Sequence, residues 1–377
     1  MSNLLVIGNG FDLSIGARSS YCDFFESEIY RPVIESMERW TDDVSKLGLG
    51  VLDSILDERM YFTCWDLLFY HISIDQDGSL SVQERGRDIN WCDIENVMNQ
   101  SFTGAGFNWE ECRSMVCQYG HDITAAQEVF RNCSIMKQAI HAYFIYHHWE
   151  KDADDDESFY RRLLGELNLF ESRFGKYIER LTEGDEYTKL SRDRIMELVN
   201  GESVEYIDSF NYSDAARELN ATVRHINGNT VYPIFGIDLK EDNGIEIPPQ
   251  VRLFTKTSRR MHQDASGEGQ ENIVGDIDKI IVFGHSLNEQ DYDYYVYLLT
   301  LLRFNTYDIN RMGTIEFVFH AYDQSKRSEI AYAYTEAVHS LLSYYDRFMN
   351  NGKQTGLINL LRFSGKLVIR EVSFTVD

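Results

Sequence analysis

Four segments of this chain set glycine, amide, imidazole or carboxylate side chains where an apolar run ends. They are Gly8-Asn9-Gly10-Phe11-Asp12, followed by Gly16; Phe210-Asn211-Tyr212-Ser213-Asp214; His225-Ile226-Asn227-Gly228-Asn229; and Phe283-Gly284-His285-Ser286-Leu287-Asn288-Glu289-Gln290-Asp291. A glycine-rich turn between a strand and a helix lets the backbone approach a pyrophosphate, and the helix N-terminus then offers N–H groups to the anion. Asp12 could stabilise positive charge developing on a ribose, and His225 or His285 could exchange a proton near neutral pH. Gly8, Gly10 and Gly16 give G-x-G-x5-G, which departs from the dinucleotide fingerprint G-x-G-x-x-G. Each segment therefore keeps a purely structural alternative: a tight ligand-free turn at Gly8–Asp12, a turn and helix cap at Asn211 and Asp214, a core histidine at 225, and a helix cap at Ser286 or Asn288.

The elements that must carry these residues are strand-like runs clustered towards the two ends of the chain. Residues 4–7, 204–210, 222–226, 231–237, 279–283, 315–319 and 367–372 are apolar, and most are bounded by turn residues. Several precede a helical pattern, as parallel α/β units require. Open sheets of this kind bind ligands beyond the carboxyl ends of their strands, where all the polar segments would converge. The middle of the chain has helical periodicity from Ile123 to Trp149 and from Glu157 to Thr182. Leu163, Leu167, Phe170, Phe174, Tyr177 and Leu181 form one apolar stripe, which predicts packing against another helix at roughly 1.5–3 kcal/mol per buried side chain.

These patterns predict an α/β protein with a Rossmann-like, mostly parallel sheet and a large, mainly helical insertion after the first strand. Residues 1–24 and 201–377 would form the nucleotide-binding domain and 25–200 the insertion, which holds every tryptophan. The acidic run Asp152–Asp156 reads as a solvated loop whose last carboxylates favour the next helix N-terminus. The polar stretch 262–276 reads as a mobile loop. Just before it, Lys256-Thr257-Ser258-Arg259-Arg260 is a basic cluster. Lys256 or Arg259, together with Arg18, could clamp ligand phosphates; the alternative is a solvated surface turn.

The formal net charge of -25 argues against broad nucleic-acid binding, which needs a basic surface, but leaves room for a local nucleotide site. No apolar run is long enough to span a membrane and no secretion signal is visible, which predicts a cytoplasmic protein with no membrane partner. The cysteines at 22, 64, 92, 112, 117 and 133 form no C-x-x-C, and the acidic run lacks the glycine and terminal glutamate of a calcium loop. Reduced thiols and no metal are expected. Tyr292, Tyr294, Tyr295 and Tyr297 cannot all face one side of a helix, so some must meet solvent, ligand or a partner, and a homo-oligomer is expected.

Gly8-Asn9-Gly10-Phe11-Asp12-Leu13 through Tyr21 and Phe24 resembles the opening of the bacteriophage abortive-infection AbiH family. Phe210–Asp214, His225–Gly228 and Phe283–Asp291 with Tyr292 and Tyr294 are similar to later motifs of that family, in the same order, while Trp91-Cys92-Asp93-Ile94-Glu95 and Phe170-Glu171 with Phe174 and Tyr177 resemble weaker ones. The AbiH pattern in turn resembles a divergent sirtuin-like fold. That resemblance implies that Gly8, Asn9, Gly10, Phe11, Gly16, Tyr212, Asn227, Gly228 and Asp291 surround NAD or a related nucleotide. It further implies that Asn211 holds the nicotinamide ribose and an attacking water, and that Gly284 with Ser286 holds the adenosine side. One position departs. Where sirtuin-like enzymes place their catalytic histidine this chain has Asn227, and an amide cannot act as a general base. His225, expected on the same strand face as Asn227, or His285 would have to replace it.

These expectations make the chain an anti-phage effector that binds NAD or a related nucleotide and hydrolyses it in the manner of an NAD glycohydrolase, with a phage-derived trigger. A nucleotide-binding sensor or partner-binding protein without turnover is the alternative, and a nuclease the third option.

Overall fold

Leu4, Leu5, Val6 and Ile7 are all fully buried, so the strand they form has apolar neighbours on both faces and must lie inside a sheet. The computed structural model, which describes residues 2–47, 61–74, 80–82, 91–103, 107–120, 122–130, 133–237, 248–265, 273 and 276–374, places it there. In chain order the strands are β1 (Asn3–Ile7), β2 (Ile72–Ile74), β3 (Leu80–Val82), β4 (Tyr206–Ser209), β5 (Thr222–His225), β6 (Lys279–Phe283), β7 (Thr314–His320) and β8 (Leu367–Val372). Six of them form one sheet in the order β5-β4-β1-β6-β7-β8, every pair parallel, and β2 and β3 pair separately as an antiparallel ribbon. Within the large sheet the sequence order runs 3-2-1-4-5-6, the order of dinucleotide-binding Rossmann folds. The fold is α/β and Rossmann-like, with direction of travel reversing between β1 and β6.

The chain divides into two compact units. One comprises Met1–Ser19, Ile178–Val231 and Glu268–Asp377 and contains the six-stranded sheet; the other comprises Ser20–Tyr177 and Tyr232–Gly267. Residues 20–24, 178–200 and 232–267 thus fall in the other unit from the one the expected bounds give them. In the sheet unit Tyr187, Ile195, Leu198 and Val199 pack with Leu5, Ile7, Phe11 and Ile207 on one face. The other face carries Leu4, Val6 and Val282 against Tyr292, Tyr295, Leu298 and Leu299 of the helix Tyr292–Leu301, with Val338, Leu341, Leu342 and Tyr345 of the helix Arg327–Met349.

The helical unit is built around the apolar stripe. Leu163, Leu167, Phe170, Phe174 and Tyr177 on the helix Asp156–Thr182 are buried, whereas Leu181 is half-buried. Phe24 meets Phe170, Phe174 and Tyr177 at ring separations of 5.9, 5.3 and 5.4 Å, and the Trp65 indole N–H donates to the Leu163 carbonyl. Helical pattern does not run unbroken from Ile123 to Trp149: separate helices span Ile123–Phe130 and Ile135–Tyr146, and Ser134 caps the second by accepting from the Lys137 amide. The acidic run behaves as a junction. Asp155 accepts from the Ser158 amide at 3.1 Å, at the start of the long helix, and Asp152 and Asp156 pair with Arg162 and Arg113.

Residues 231–237 do not form the expected strand. Pro233 has no N–H to give a ladder, and the Phe235 amide donates to the Glu171 carboxylate at 2.7 Å instead. The apolar residues there, Ile234, Phe235 and Ile237, serve the helical core, with Phe235 packed on Tyr21, Phe170 and Phe174. The expected mobile loop begins with the end of a helix, Lys256–Gln263, and its residues 266–272 and 274–275 lie outside those described. Among the described residues Cys22, Cys64, Cys112, Cys117 and Cys133 are free thiols, no group of His, Cys, Asp and Glu could hold a metal, and no helix is long and apolar enough to cross a membrane.

Candidate functional site

The glycines at the switch between β1 and β6 are used to bring two loops together. The Gly8 amide donates to the Phe283 carbonyl at 3.0 Å, the Gly10 amide to the Gly284 carbonyl at 2.8 Å, and the Phe11 amide to the Gly8 carbonyl at 2.8 Å. A Cβ on Gly8 would stand 2.7 Å from the Gly284 oxygen, one on Gly10 2.8 Å from the Gly284 Cα, and one on Gly284, at φ +71°, 2.4 Å from the Phe11 nitrogen. The amides expected to cradle a pyrophosphate therefore already have acceptors within the sheet unit. The helix that follows, Asn9–Ser14, is only six residues long. Gly16, at φ +81°, ends it with open space around it, and Asn9 accepts a 2.7 Å hydrogen bond from Ser19 Oγ. Phe11 is fully buried, edge-on to Phe283 at 6.4 Å.

Asp12 is the chemical centre of what remains. It is 2% exposed, and its two oxygens accept from Tyr187 Oη and Ser213 Oγ, both at 2.7 Å. Burial raises its pKa to about 6, opposed by the Tyr187 and Ser213 hydroxyls and by the nearby Asn211 carboxamide. Asn211 follows β4 in a turn closed by Ser209, whose hydroxyl donates to the Asn211 carbonyl and accepts from its amide N–H. Asn211 is only 4% exposed; its side-chain nitrogen faces the Asp12 carboxylate, and its side-chain oxygen has no hydrogen-bond partner. A buried amide in that state costs free energy unless something completes it. Tyr212 beside it is buried.

His225, the last residue of β5, bonds through its ring to the Asn211 main chain. Burial pushes its pKa down, partly offset by Asp214, so the ring is neutral at physiological pH. Asn227 lies beyond the strand, in a turn with Gly228 at φ +82°, so it does not share a strand face with His225 as expected. Its side-chain NH2 donates to the Phe210 carbonyl at 3.1 Å, which ties the β5 turn to the β4 turn.

At the end of β6, His285 Nδ1 accepts from the Leu287 amide at 2.9 Å, which puts the proton on Nε2, 3.4 Å from Asp291 Oδ2. Phe210 and Tyr295 pack edge-on against the ring at 4.3 and 5.3 Å. His285 is thus fixed in one tautomer and held by its neighbours. Ser286 is exposed.

The structure brings Asp12, Asn211, His225, Asn227, His285 and Asp291 to the carboxyl end of one sheet. Lys256 and Arg259 belong to the helical unit, where Lys256 pairs with Glu95 at 2.6 Å and Arg259 contacts Glu171, Asn168 and the Phe235 carbonyl.

Two features were not singled out by sequence. Tyr187 sits on the helix Asp185–Leu198, 175 positions from Asp12, and no local pattern marks it. On the opposite sheet face Asp208 and Arg224 form a buried bidentate pair at 2.6 and 2.5 Å, with the Tyr294 hydroxyl also on Asp208. The alternating Ile207-Asp208-Ser209 beside Val223-Arg224-His225 was the available signal, since opposite charges directly across from each other on paired strands favour pairing. The tyrosines divide as geometry requires: Tyr292 and Tyr295 are buried, Tyr294 is half-buried and Tyr297 is 40% exposed.

No curated protein and no solved structure matches the chain. A family model does, described as bacteriophage abortive infection AbiH and matched over residues 4–310. The chain belongs to the AbiH family of bacteriophage abortive-infection proteins.

Proposed function

We propose that this abortive-infection protein binds NAD or a related nucleotide at the carboxyl ends of β1, β4, β5 and β6 and cleaves its N-glycosidic bond. The observation that carries the reading is the Asn211 carboxamide, buried beside Asp12 with its side-chain oxygen unpartnered, at the carboxyl end of a sheet in dinucleotide-binding order. A carboxamide offers both a donor and an acceptor, which suits ribose hydroxyls and an attacking water. The sirtuin-like resemblance of the surrounding motifs selects a nicotinamide dinucleotide among nucleotides.

In the cleavage step the bond from ribose C1′ to the base nitrogen breaks, its electron pair leaves with the base, and water adds to the resulting oxocarbenium. With a pKa of about 6, Asp12 is mostly ionised at pH 7 and favours that developing positive charge through the site. His225, neutral and joined to the Asn211 main chain, is the better placed of the two imidazoles to take the water's proton, because the Nδ1 lone pair of His285 is already engaged by the Leu287 amide.

A sensor without turnover is favoured by one observation: the residue in the expected catalytic position, Asn227, is a structural tie to Phe210. The test separates the two. Purified protein is incubated with NAD, with and without phage extract, and free nicotinamide is followed by chromatography. Nicotinamide release that is lost in Asn211→Ala supports the hydrolase. Saturable NAD binding by calorimetry with no release under any trigger selects the sensor, and no binding at all overturns both.

A further inference from the structure

Three arginines of the sheet unit meet a carboxylate squarely: Arg224 meets Asp208, Arg370 meets Glu316 and Arg327 meets Glu371. Arg194 does not. It lies on the helix Asp185–Leu198, seven residues and two turns below Tyr187, with its side chain 11% exposed. Its Nη2 donates to the Ser14 carbonyl at 3.0 Å, at the end of the short helix that follows the glycine turn. The Glu197 carboxylate is 3.4 Å from Nη1 but 62% exposed, which makes it a weak, solvent-screened partner. The flat face of the guanidinium is covered instead by the Phe374 ring, with the central carbon 3.3 Å from the ring centroid.

Phe374 comes from the segment just after β8. Besides Arg194 it meets Phe283 edge-on at 5.5 Å and the His320 ring at 5.1 Å, and these are the last residues of β6 and β7. Phe283 in turn packs edge-on against Phe11 of the glycine turn. The ring therefore lies over the carboxyl ends on the β6–β7 side of the switch, where the second half of a dinucleotide extends in folds of this strand order. A guanidinium stacked on an aromatic face is held by cation–π attraction, a weaker hold than a bidentate oxyanion would give. Burial lowers the pKa of Arg194, as it does for a cation lacking full compensation.

We propose that Arg194 is the anion-binding cation of this site and that Phe374 is a latch over it, so that an oxyanion such as a ligand pyrophosphate and the packed Phe374 ring compete for the same guanidinium. The inference rests on the carboxyl ends being the ligand side of the sheet and deepens the nucleotide reading by naming where the phosphates go. In a chain of net charge -25 such a cation also gives the anion a local attraction that the rest of the surface denies it.

The test uses inorganic pyrophosphate, so it does not depend on cleavage. By calorimetry, Phe374→Ala should bind pyrophosphate about tenfold more tightly than wild type, and the gain should vanish in Phe374→Ala/Arg194→Gln. Affinity equal to wild type within twofold, or a gain that survives Arg194→Gln, overturns the proposal. A second arm needs no variant. Pyrophosphate should speed hydrogen exchange of the backbone amides around Phe374 in the wild-type chain severalfold, read by mass spectrometry; an unchanged or slower rate overturns the latch. Pyrophosphate binding through Arg194 without nicotinamide release would fail the hydrolase reading and leave this one standing. Nicotinamide release with no latch effect would do the reverse.

Discussion

Tyr187 hands a 2.7 Å hydrogen bond to Asp12 across 175 positions of sequence, and Ser213 hands another of the same length to the other carboxylate oxygen. The acid at the start of the chain is thereby fixed by groups contributed from two later passes of the polypeptide. Its ordinary pKa of 3.8 is raised to about 6 because burial outweighs those bonds. A carboxyl with a higher pKa folded than unfolded adds stability that is fully present below the unfolded value and is lost as pH rises through the folded one. From well below pH 4 to well above pH 6 the wild type should therefore lose, through this group, about 3 kcal/mol at roughly 1.4 kcal/mol per pKa unit, about 2 of it between pH 4 and 6. Asp12→Asn should remove that slope relative to wild type in urea titrations across pH 4–8. Tyr187→Phe deletes a bond that holds the pKa down, so it should move the midpoint above 6. Identical slopes in all three proteins would show that Asp12 does not titrate in this window.

Asn211 should separate binding from folding. Its side-chain amide meets the Asp12 carboxylate and leaves its oxygen unpartnered, so Asn211→Ala should cost only about 1 kcal/mol, within the range of modest substitutions. NAD should raise the unfolding temperature of the wild type and leave that of the variant unchanged. Thermal melts with and without 1,000-fold excess ligand over protein would read both effects, and equal ligand stabilisation in the two proteins would remove Asn211 from the site.

The glycines of the two central loops should differ sharply in what they tolerate. Gly284→Ala combines φ +71° with a Cβ 2.4 Å from the Phe11 nitrogen, and should cost about 3 kcal/mol or more in strain and displaced backbone. Gly16→Ala shares the positive φ but meets nothing within 4 Å, so only the left-handed conformation is penalised, at about 1 kcal/mol. Chemical denaturation of the two variants checks the ordering; comparable losses would mean the loops are not pressed together as described.

Much of this was legible in sequence because it is local. The buried Leu4–Ile7 run, the strand end at Phe283, the strand ending within a residue of Phe210 and the stripe from Leu163 to Tyr177 each announce themselves within a few residues. The glycine turn was also visible, but not its purpose. A glycine needed for a ligand and one needed for a neighbouring loop look the same until Gly284 is seen against Gly8 and Gly10. Residues 231–237 misled because an apolar run of that length suits a strand or an anchoring segment equally, and the Glu171 carboxylate that decides between them lies 64 positions away. Tyr187 and Arg194 gave no signal, since one tyrosine and one arginine on an ordinary helix acquire meaning only from Asp12 and Phe374.

The basic cluster illustrates the same limit and yields the last prediction. Arg259 contacts the Glu171 carboxylate, which is 3% exposed, and adds bonds of 2.6 Å to the Phe235 carbonyl and 2.8 Å to Asn168. Removing one partner of a buried ion pair strands the other charge, so Arg259→Ala should destabilise the protein by about 3 kcal/mol or more. The loss should depend on pH with a definite sign. Burial raises the Glu171 pKa and Arg259 lowers it, so without the arginine the folded-state value climbs further. The stranded carboxyl can take up a proton at low pH, so the deficit relative to wild type should be small near pH 4 and grow as pH rises through the new folded-state value. Adding Glu171→Gln should recover part of the stability at pH 8 and little at pH 4, because a neutral amide needs no counter-charge. Urea denaturation of the single and double variants at the two pH values measures this. A loss below about 1 kcal/mol at pH 8 would mean that Arg259 is not needed to compensate Glu171, and would return it to the solvent-facing role that could reach a ligand phosphate.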